Sequence, residues 1–256
     1  MPWKEHWWLK FRRRLQKPIN KIFRSKHYYL TRYRGADFLL APWGIGALET
    51  SAKIKEYTEL TYLMRRCPEL GVDTLIDVGA NIGVYSCILL RNATVPRAIL
   101  FEPDRVNLVQ LRANLLINGV TERTTIHEIA LGERHARLRL VPNWSAEGYA
   151  LTDGGFSRVM EPDAASDRGY EVDVVRMDEH LKLSGHVLAI KIDVERYECQ
   201  VIRGMTGILR DNRCVVLIEV DDDTHKDVIA EMASAGYAVS NDCYPNLFFE
   251  RRGALS

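Results

Sequence analysis

Residues 75–86, LIDVGANIGVYS, place one acid and two glycines where a short apolar run meets the start of an amphipathic one. Gly79 and Gly83 would let the backbone turn sharply and approach a bound molecule without an obstructing Cβ. The helix expected after Gly83 would offer unpaired N–H groups and a partial positive charge to a carboxylate. Asp77 could accept a hydrogen bond from an ammonium group. The segment therefore predicts a loop that binds an aminoacyl zwitterion at the carboxyl end of a buried parallel strand.

A second acid ends the next apolar segment, AILFE at residues 98–102. Glu102 lies roughly 20 residues beyond the loop, where an acid binds ribose hydroxyls in Rossmann-like folds. The glycines are spaced GxxxG, whereas a dinucleotide cofactor needs GxGxxG to seat its pyrophosphate. The loop and Glu102 together favour S-adenosylmethionine over a nicotinamide or flavin cofactor. Taken by itself, Glu102 would be interpreted as a solvated carboxylate at a strand end.

The elements that would position these residues alternate regularly after residue 71. Apolar segments typical of buried parallel strands lie at residues 75–79, 98–102, 125–130, 187–193 and 215–220. Amphipathic segments separate them, which predicts a parallel sheet with helices on both faces. One helix is expected over residues 105–117, and another over about 48–66, ending before Pro68. A hairpin is expected around residues 33–41.

The third predicted strand adds two residues to the expected cofactor site. If the sheet is wound in this way, Glu128 and Ala130 would lie beside the adenine. His127 alternates with Glu128 along the strand, so only one of the two side chains can face the cleft. We therefore interpret His127 as a structural or surface residue and include Glu128 and Ala130 in the cofactor site.

Five segments, in order, resemble the FkbM family of methyltransferases: IDVGANIGVYS, FEPDRVNLVQLRANLLING, IALG, KIDVERYECQVIRGM and VVLIEV. They cover most of residues 70–220. The resemblance implies an α/β chain with the Rossmann-like class I methyltransferase fold, whose mostly parallel seven-stranded sheet carries helices on both faces. Its antiparallel last strand would lie near residues 246–250. The resemblance also implies methyl transfer to a hydroxyl oxygen of a sugar, glycan, glycolipid or related metabolite, as in polysaccharide biosynthesis.

Residue by residue, the resemblance assigns roles to two groups of positions. The positions that match the family's cofactor motifs are Asp77, Gly79, Ala80, Asn81, Gly83 and Glu102. Asp193 and Glu195 match its DVEG-type segment and are the expected catalytic residues. Arg196 stands where the family usually has glycine, which leaves open the shape of this turn and the acceptor that it faces.

Methyl transfer to a hydroxyl requires alignment of the acceptor oxygen and removal of its proton. Asp193 is the expected base, because it ends the fourth strand across from the glycine loop. In an alternative arrangement, Asp193, Glu219 and Asp221 hold Mg²⁺ at the ends of two neighbouring strands. The acids at 221–223 could instead form a solvated turn that begins a helix.

A different interpretation of the whole chain is a catalytically impaired partner protein of a biosynthetic complex. Such a protein would keep the methyltransferase fold, and Arg196 would be a sign of lost activity. Absence of S-adenosylmethionine binding would favour the partner protein, whereas binding without methyl transfer would leave both interpretations open.

Charge divides the chain unevenly. The first 34 residues carry eleven lysines and arginines and one acid, although the formal net charge of all 256 residues is +1. Residues 1–47 are therefore expected to form a basic amphipathic appendage, and residues 48–256 the methyltransferase domain. Residues from about 141 to 170 are rich in Gly, Ser, Asp and Pro and are expected to form a lid-like insertion.

An aromatic stripe is expected on a helix at the N-terminus, formed by Trp3, Trp7, Phe11 and Leu15. Residues 1–26 could use it to contact an anionic membrane surface. The stripe could instead pack on the catalytic domain or on a second subunit of a homo-oligomer.

The cysteines, the apolar segments and the end of the fourth strand indicate the cellular compartment and the substrate class. The five cysteines are scattered and include no CxxC pair, which argues against a disulfide framework or a zinc site. No apolar run approaches the roughly 20 residues that span a bilayer, and the N-terminus lacks the pattern of a secretory signal. A nucleic-acid substrate is not expected, because the fourth strand ends in KIDVE rather than an NPPY-like segment. We expect a cytoplasmic protein, with a peripheral position at the inner face of the membrane if residues 1–26 bind lipid.

Overall fold

The computed structural model describes residues 29–40, 55–141, 158–160 and 169–251. The membrane contact and aromatic stripe predicted for residues 1–26 lie outside the described residues, and so does most of the predicted lid. The division into an appendage and a catalytic domain stays a prediction. Within the described part of the chain, no helix is both long and apolar enough to cross a bilayer.

Strands and helices alternate along most of the described chain. The strands are β1 (Tyr29–Tyr33), β2 (Ala36–Leu40), β3 (Thr74–Val78), β4 (Ala98–Phe101), β5 (Thr124–His127), β6 (Ala130–Leu131), β7 (Ala136–Val141), β8 (Arg158–Met160), β9 (Tyr170–Val175), β10 (Val187–Ile192), β11 (Arg213–Glu219), β12 (Tyr237–Cys243) and β13 (Asn246–Arg251). The helices are α1 (Lys55–Leu70), α2 (Val84–Arg91), α3 (Arg105–Ile117), α4 (Met177–His180), α5 (Glu198–Gly204), α6 (Thr206–Asp211) and α7 (His225–Ser234). A short 3₁₀ turn lies at Thr121–Arg123.

Seven of the described strands form the central sheet, in the order β12-β13-β11-β10-β3-β4-β5. The strands from β11 to β5 are parallel, whereas β13 runs antiparallel to both of its neighbours. This topology confirms the predicted mostly parallel sheet with an antiparallel last strand. Because β4 and β10 flank β3 on opposite sides, a crevice opens at the carboxyl end of β3, where ligands bind in such sheets.

Helices cover both faces of the sheet because alternate strand residues point in opposite directions. On β3, Leu75 packs into one apolar cluster and Ile76 into another. On β11, Val215 and Val216 divide in the same way. The first cluster contains residues of α1, α2 and α3, and the second contains residues of α5, α6 and α7. The predicted two-sided architecture is confirmed.

The end of α1 differs from the sequence prediction. The helix continues through Pro68 to Leu70, although the prediction ended it before the proline. Because Pro68 has no N–H, the last turn lacks one helical hydrogen bond but remains helical. The helix ends at the residues that follow the proline. Gly71 has a φ of 70°, and the Val72 N–H donates to Cys67 O at 2.9 Å, which is the Schellman pattern. Glycine, rather than proline, therefore ends the helix.

The predicted hairpin is present as β1 and β2, and it belongs to the first apolar cluster through Phe38 and Leu40. Asn114 of α3 and Asn118, which caps the C-terminus of that helix, hold the hairpin through hydrogen bonds to its backbone. The Asn118 side chain accepts from Asp37 N at 2.8 Å and donates to Asp37 O at 2.6 Å. The Asn114 side chain accepts from Leu39 N at 2.8 Å and donates to Ile82 O at 2.9 Å. Asn114 thereby connects the hairpin to the glycine loop.

Four more of the described strands form a second sheet, in the order β6-β9-β7-β8, which the sequence analysis did not predict. The predicted third strand, residues 125–130, is split, because β5 ends at His127 and Ala130 pairs with β9 in the second sheet. Within the predicted lid, Arg158–Met160 pairs antiparallel with β7. Residues 158–160 of the insertion are therefore part of a strand.

Candidate functional site

A cleft lies at the carboxyl ends of β3, β4 and β10, with a volume of about 600 Å³ when the solvent at its mouth is included. One side is formed by the glycine loop and the residues after β4, and the other by the turn after β10. The second sheet contributes apolar side chains that include Leu131 and Leu140. Of the residues predicted from the sequence, those that line the cleft are Gly79, Asn81, Glu102, Ala130, Asp193 and Glu195.

The glycine loop is shaped by a close approach between two strand ends. Gly79 has a φ of 73°, and a Cβ at this position would lie 1.9 Å from the carbonyl oxygen of Asp193. Asn81 and Gly83 also have positive φ values. Gly83 directly precedes α2, so no side chain at this position covers the helix N-terminus. Ala80 is buried beneath the loop rather than placed along the cleft.

Asp77 lies under the loop and does not line the cleft. Its Oδ2 accepts a hydrogen bond from the Ser86 hydroxyl at 2.5 Å. Its Oδ1 lies 3.7 Å from Nζ of Lys191, a residue to which the sequence analysis gave no role. The sequence suggested an ammonium partner for Asp77, and the chain itself provides one.

Glu102 is 4% exposed, and its carboxylate holds the backbone of two segments near the cleft. Its Oε2 accepts from Asn81 N at 2.7 Å, and its Oε1 accepts from Asp104 N at 2.8 Å. Burial raises the pKa of Glu102 to about 7, although these two N–H groups act in the opposite direction. Glu102 therefore connects the glycine loop to the start of α3 and changes protonation near neutral pH.

Glu128 and Ala130 lie in different surroundings. Ala130 lines the cleft with Ile129. The structure does not bring Glu128 there, because the chain leaves the central sheet after His127 and the Glu128 carboxylate points to the surface, where it pairs with Arg112. The carboxylate is 56% exposed.

The turn after β10 contains the expected catalytic residues in a strained backbone. Glu195 and Arg196 have φ values of 55° and 73°, in the left-handed region that favours glycine. The Arg196 N–H donates to Glu198 Oε1 at 3.0 Å. Asp193 reaches Lys191 Nζ through its Oδ2 at 3.2 Å. The arginine thus keeps a turn that suits glycine, and a buried glutamate missed by the sequence analysis holds it.

Arg196 also connects the ends of two strands through its side chain. Its Nε lies 2.5 Å from Asp221 Oδ2, and a terminal nitrogen lies 3.1 Å from Asp223 Oδ2. Burial raises the pKa of Glu198, and the nearby carboxylates of Asp193 and Asp221 add to the effect. The guanidinium therefore supplies positive charge to the acidic region where β10 and β11 end.

The residues considered as Mg²⁺ ligands are held in other contacts. Asp193 pairs with Lys191, and Asp221 pairs with Arg196 and accepts from Thr224 N at 2.9 Å. Glu219 lies close enough to Lys191 to raise the pKa of that lysine. Across the described ranges, no group of three or more His, Cys, Asp or Glu side chains is arranged to hold a metal ion.

The sheet order, the crevice at β3 and the glycine loop are those of the Rossmann-like class I methyltransferase fold. Residues 77–239 match the methyltransferase FkbM domain. The match covers more than half of the chain, which belongs to the FkbM methyltransferase family.

Several solved structures are similar to this chain at low identity. The FkbM methyltransferase of Methylobacillus flagellatus KT is 19% identical, with a TM-score of 0.47, and the match covers 70% of this chain and 43% of that protein. The chain thus spans less than half the length of that relative. M. jannaschii TYW2, solved in complex with AdoMet, is 9% identical with a TM-score of 0.46, over 89% of this chain and 88% of that one. No curated protein matches the chain.

We expect Gly79→Ala to destabilise the protein by at least about 3 kcal/mol, because backbone must move to admit the Cβ and the left-handed strain is added. Gly119→Ala is the matched control, since Gly119 has a φ of 64° but no atom within 4 Å of its would-be Cβ. That control should cost only the strain, about 1 kcal/mol. Urea unfolding midpoints measure both changes. Equal losses would show that the approach of Asp193 does not constrain position 79.

Arg196→Gly and Arg196→Ala separate backbone strain from the ion pair. Both remove the half-exposed contacts to Asp221 and Asp223, which are worth about 0–1 kcal/mol. Only the glycine variant relieves the left-handed strain, so it should be more stable than the alanine variant by about 1 kcal/mol. Thermal and urea unfolding measure the difference. Equal stability of the two variants would contradict the inferred strain.

Proposed function

We propose that the chain is an S-adenosylmethionine-dependent O-methyltransferase that acts on a hydroxyl of a sugar, glycan, glycolipid or related metabolite. One observation carries the proposal. A single cleft joins Glu102 and the glycine loop on one side to Asp193 and Glu195 on the other. A binding site for the methyl donor and a carboxylate that can take a proton therefore share one space.

The residues of the cleft fit S-adenosylmethionine. Glu102, nearly buried and facing the cleft, would accept hydrogen bonds from the ribose hydroxyls. The backbone at Gly79, which lines the cleft, and the N-terminus of α2, which no side chain at Gly83 covers, suit the aminoacyl group. Ile129 and Ala130 offer an apolar surface for the adenine. When bound, the cofactor supplies an electrophilic methyl group on a sulfonium.

The chain's own contribution to the reaction is to orient the acceptor, exclude water and take a proton. Leu140 and Tyr197 line the cleft and restrict the access of water. Asp193, held by Lys191, would accept the proton of the acceptor hydroxyl as the O–CH₃ bond forms. Glu195 lies on the same turn and would hydrogen-bond the acceptor to keep its oxygen in line.

The partner-protein interpretation rests on Arg196. An arginine in a glycine-type turn makes a charged bridge at the acceptor side of the cleft, and a chain without activity would tolerate such a change. Calorimetry with S-adenosylmethionine tests the proposed function directly. Binding followed by methyl transfer supports the enzyme, no binding at millimolar concentration supports the partner protein, and binding without transfer is compatible with both.

Binding of S-adenosylmethionine should strengthen as the pH rises from 6 to 8. Only the ionised Glu102 can accept from both ribose hydroxyls, and its pKa is raised to about 7. The stability of the ligand-free protein changes with pH in the opposite direction to the affinity. Because the folded-state pKa of about 7 exceeds the ordinary value of 4.5, the ligand-free protein loses stability as the pH rises from about 4.5 to about 7.

Glu102→Gln should weaken binding about 10- to 100-fold, as expected for loss of charge-assisted hydrogen bonds, and should flatten its pH dependence. Calorimetric titrations at pH 6, 7 and 8 measure both effects. Glu122→Gln, on the surface in the 3₁₀ turn, is the control and should behave as the wild type. An unchanged pH profile in the Glu102→Gln protein would remove this carboxylate from ribose binding.

Asp193→Asn should lower methyl transfer at least about 100-fold, the usual contribution of a general base, because an amide cannot accept the proton. Its affinity for S-adenosylmethionine should stay within about threefold of the wild type. Formation of S-adenosylhomocysteine with fractionated cellular glycans and glycolipids measures turnover. Glu128→Gln is the matched control on an exposed carboxylate outside the cleft. Wild-type turnover by the Asp193→Asn protein would rule out Asp193 as the base.

A further inference from the structure

A buried lysine lies near the carboxyl end of the central strand. Lys191 is 5% exposed and belongs to the central strand β10, whose other residues from Leu188 to Ile192 are apolar and buried. Burying an ammonium is unfavourable unless it is paired and hydrogen-bonded. Its presence at this position therefore requires partners that compensate for the lost hydration.

The strand register supplies those partners. Lys191 is directly opposite Asp77 of β3, and both side chains point to the face covered by α2. Lys191 Nζ donates to the carbonyl oxygen of Gly79 at 2.7 Å and lies 3.2 Å from Asp193 Oδ2 and 3.7 Å from Asp77 Oδ1. It also lies 5.6 Å from the centre of the Tyr85 ring, within reach of a cation–π contact.

These contacts join the two halves of the cleft. Gly79 belongs to the loop on the donor side, and Asp193 lines the opposite wall. Burial lowers the pKa of Lys191, but the carboxylates of Asp193, Asp77 and Glu219 outweigh burial and raise it, so the side chain stays an ammonium. One fixed positive charge therefore connects the loop to the proposed base.

We infer that Lys191 is a positioning residue of the methyl-transfer centre, which holds the Gly79 carbonyl and the Asp193 carboxylate together and limits the negative charge that faces the cofactor's sulfur. The inference rests on the proposed function. Asp77, Lys191 and Asp193 together carry a net charge of −1, which complements a sulfonium. Without the lysine, the same group would carry −2.

This charge balance matches the proposed reaction. The S–CH₃ bond breaks as the O–CH₃ bond forms, and the bonding electron pair stays on sulfur, so the sulfonium becomes a neutral thioether. The hydroxyl proton passes to Asp193, which changes the three side chains from −1 to neutral. Lys191 thus offsets one of the carboxylates around it, which include Glu219, so the chain need not bind the sulfonium far more tightly than the product.

The test compares two ligands that share the ribose, adenine and aminoacyl group and differ at sulfur. The affinities of S-adenosylmethionine and S-adenosylhomocysteine are measured by calorimetry at pH 8.5, and their ratio cancels the contribution of Glu102. Lys191→Met and Lys191→Gln should raise the preference for the sulfonium at least about tenfold, as the loss of a nearby buried charge implies. Lys191→Arg, which keeps the charge, should leave the ratio within about twofold.

Asp77→Asn provides an opposite change in case the uncharged variants at 191 do not fold. Removing a negative charge beside an intact lysine should lower the preference for the sulfonium by a similar factor. A ratio that stays at the wild-type value in the folded variants, at 191 or at 77, would overturn the role of Lys191 in setting the charge. A wild type that binds neither ligand would instead overturn the proposed function.

Discussion

The approach of β3 to β10 at their carboxyl ends is the constraint on which the rest of the cleft depends. The Asp193 carbonyl occupies the space where a side chain at position 79 would lie, so only glycine fits at this position of the loop. The Asp193 N–H donates to Val78 O at 3.1 Å, which continues the pairing of the strands to the point where they diverge. The donor side and the proposed acceptor side therefore meet across one backbone contact.

Buried polar side chains convert that contact into a fixed geometry. Glu102 connects the loop to α3 through Asn81 and Asp104. Asn114 ties the same loop to the hairpin, and Lys191 ties it to the turn after β10. Each of these groups has lost most of its hydration, and a partial loss of partners would leave a buried polar atom unsatisfied. The loop is therefore held from several directions by interactions that are costly to break individually.

The sequence was informative where a residue's own chemistry fixes its local structure. Near-continuous apolar strands predicted a two-sided sheet, and glycine spacing predicted the turn at β3. The second sheet was not predictable in this way. Its strand β6 has only two residues, too few for a recognisable pattern, and it pairs with a strand about 40 positions further along the chain. The end of α1 was misplaced for a related reason, since a proline in the last turn is tolerated when a following glycine closes the helix.

The candidate site shows the same division. Glu102 was recognisable because it ends an apolar strand at a telling distance from the loop, and the structure places it on the cleft. Glu128 was assigned by extending a strand that in fact ends at His127. Lys191 is noticeable in the sequence as a charged residue within the apolar segment VLAIKID. Its role, however, depends on Asp77, which lies opposite it on the neighbouring strand. The roles of residues such as Glu128 and Lys191 depend on which strands pair, and a single segment of sequence does not reveal that pairing.

Arg196 shows how a turn that suits glycine can be held with another residue in it. Left-handed backbone at two successive non-glycine residues is strained, and strain of this kind persists only where surrounding contacts hold it. Here Glu198 accepts the Arg196 N–H, while Asp221 and Asp223 hold the guanidinium. The exposed ion pairs alone would offset little of the strain. The buried carboxylate of Glu198 is therefore the stronger restraint, and it preserves the direction in which Glu195 and Asp193 meet the cleft.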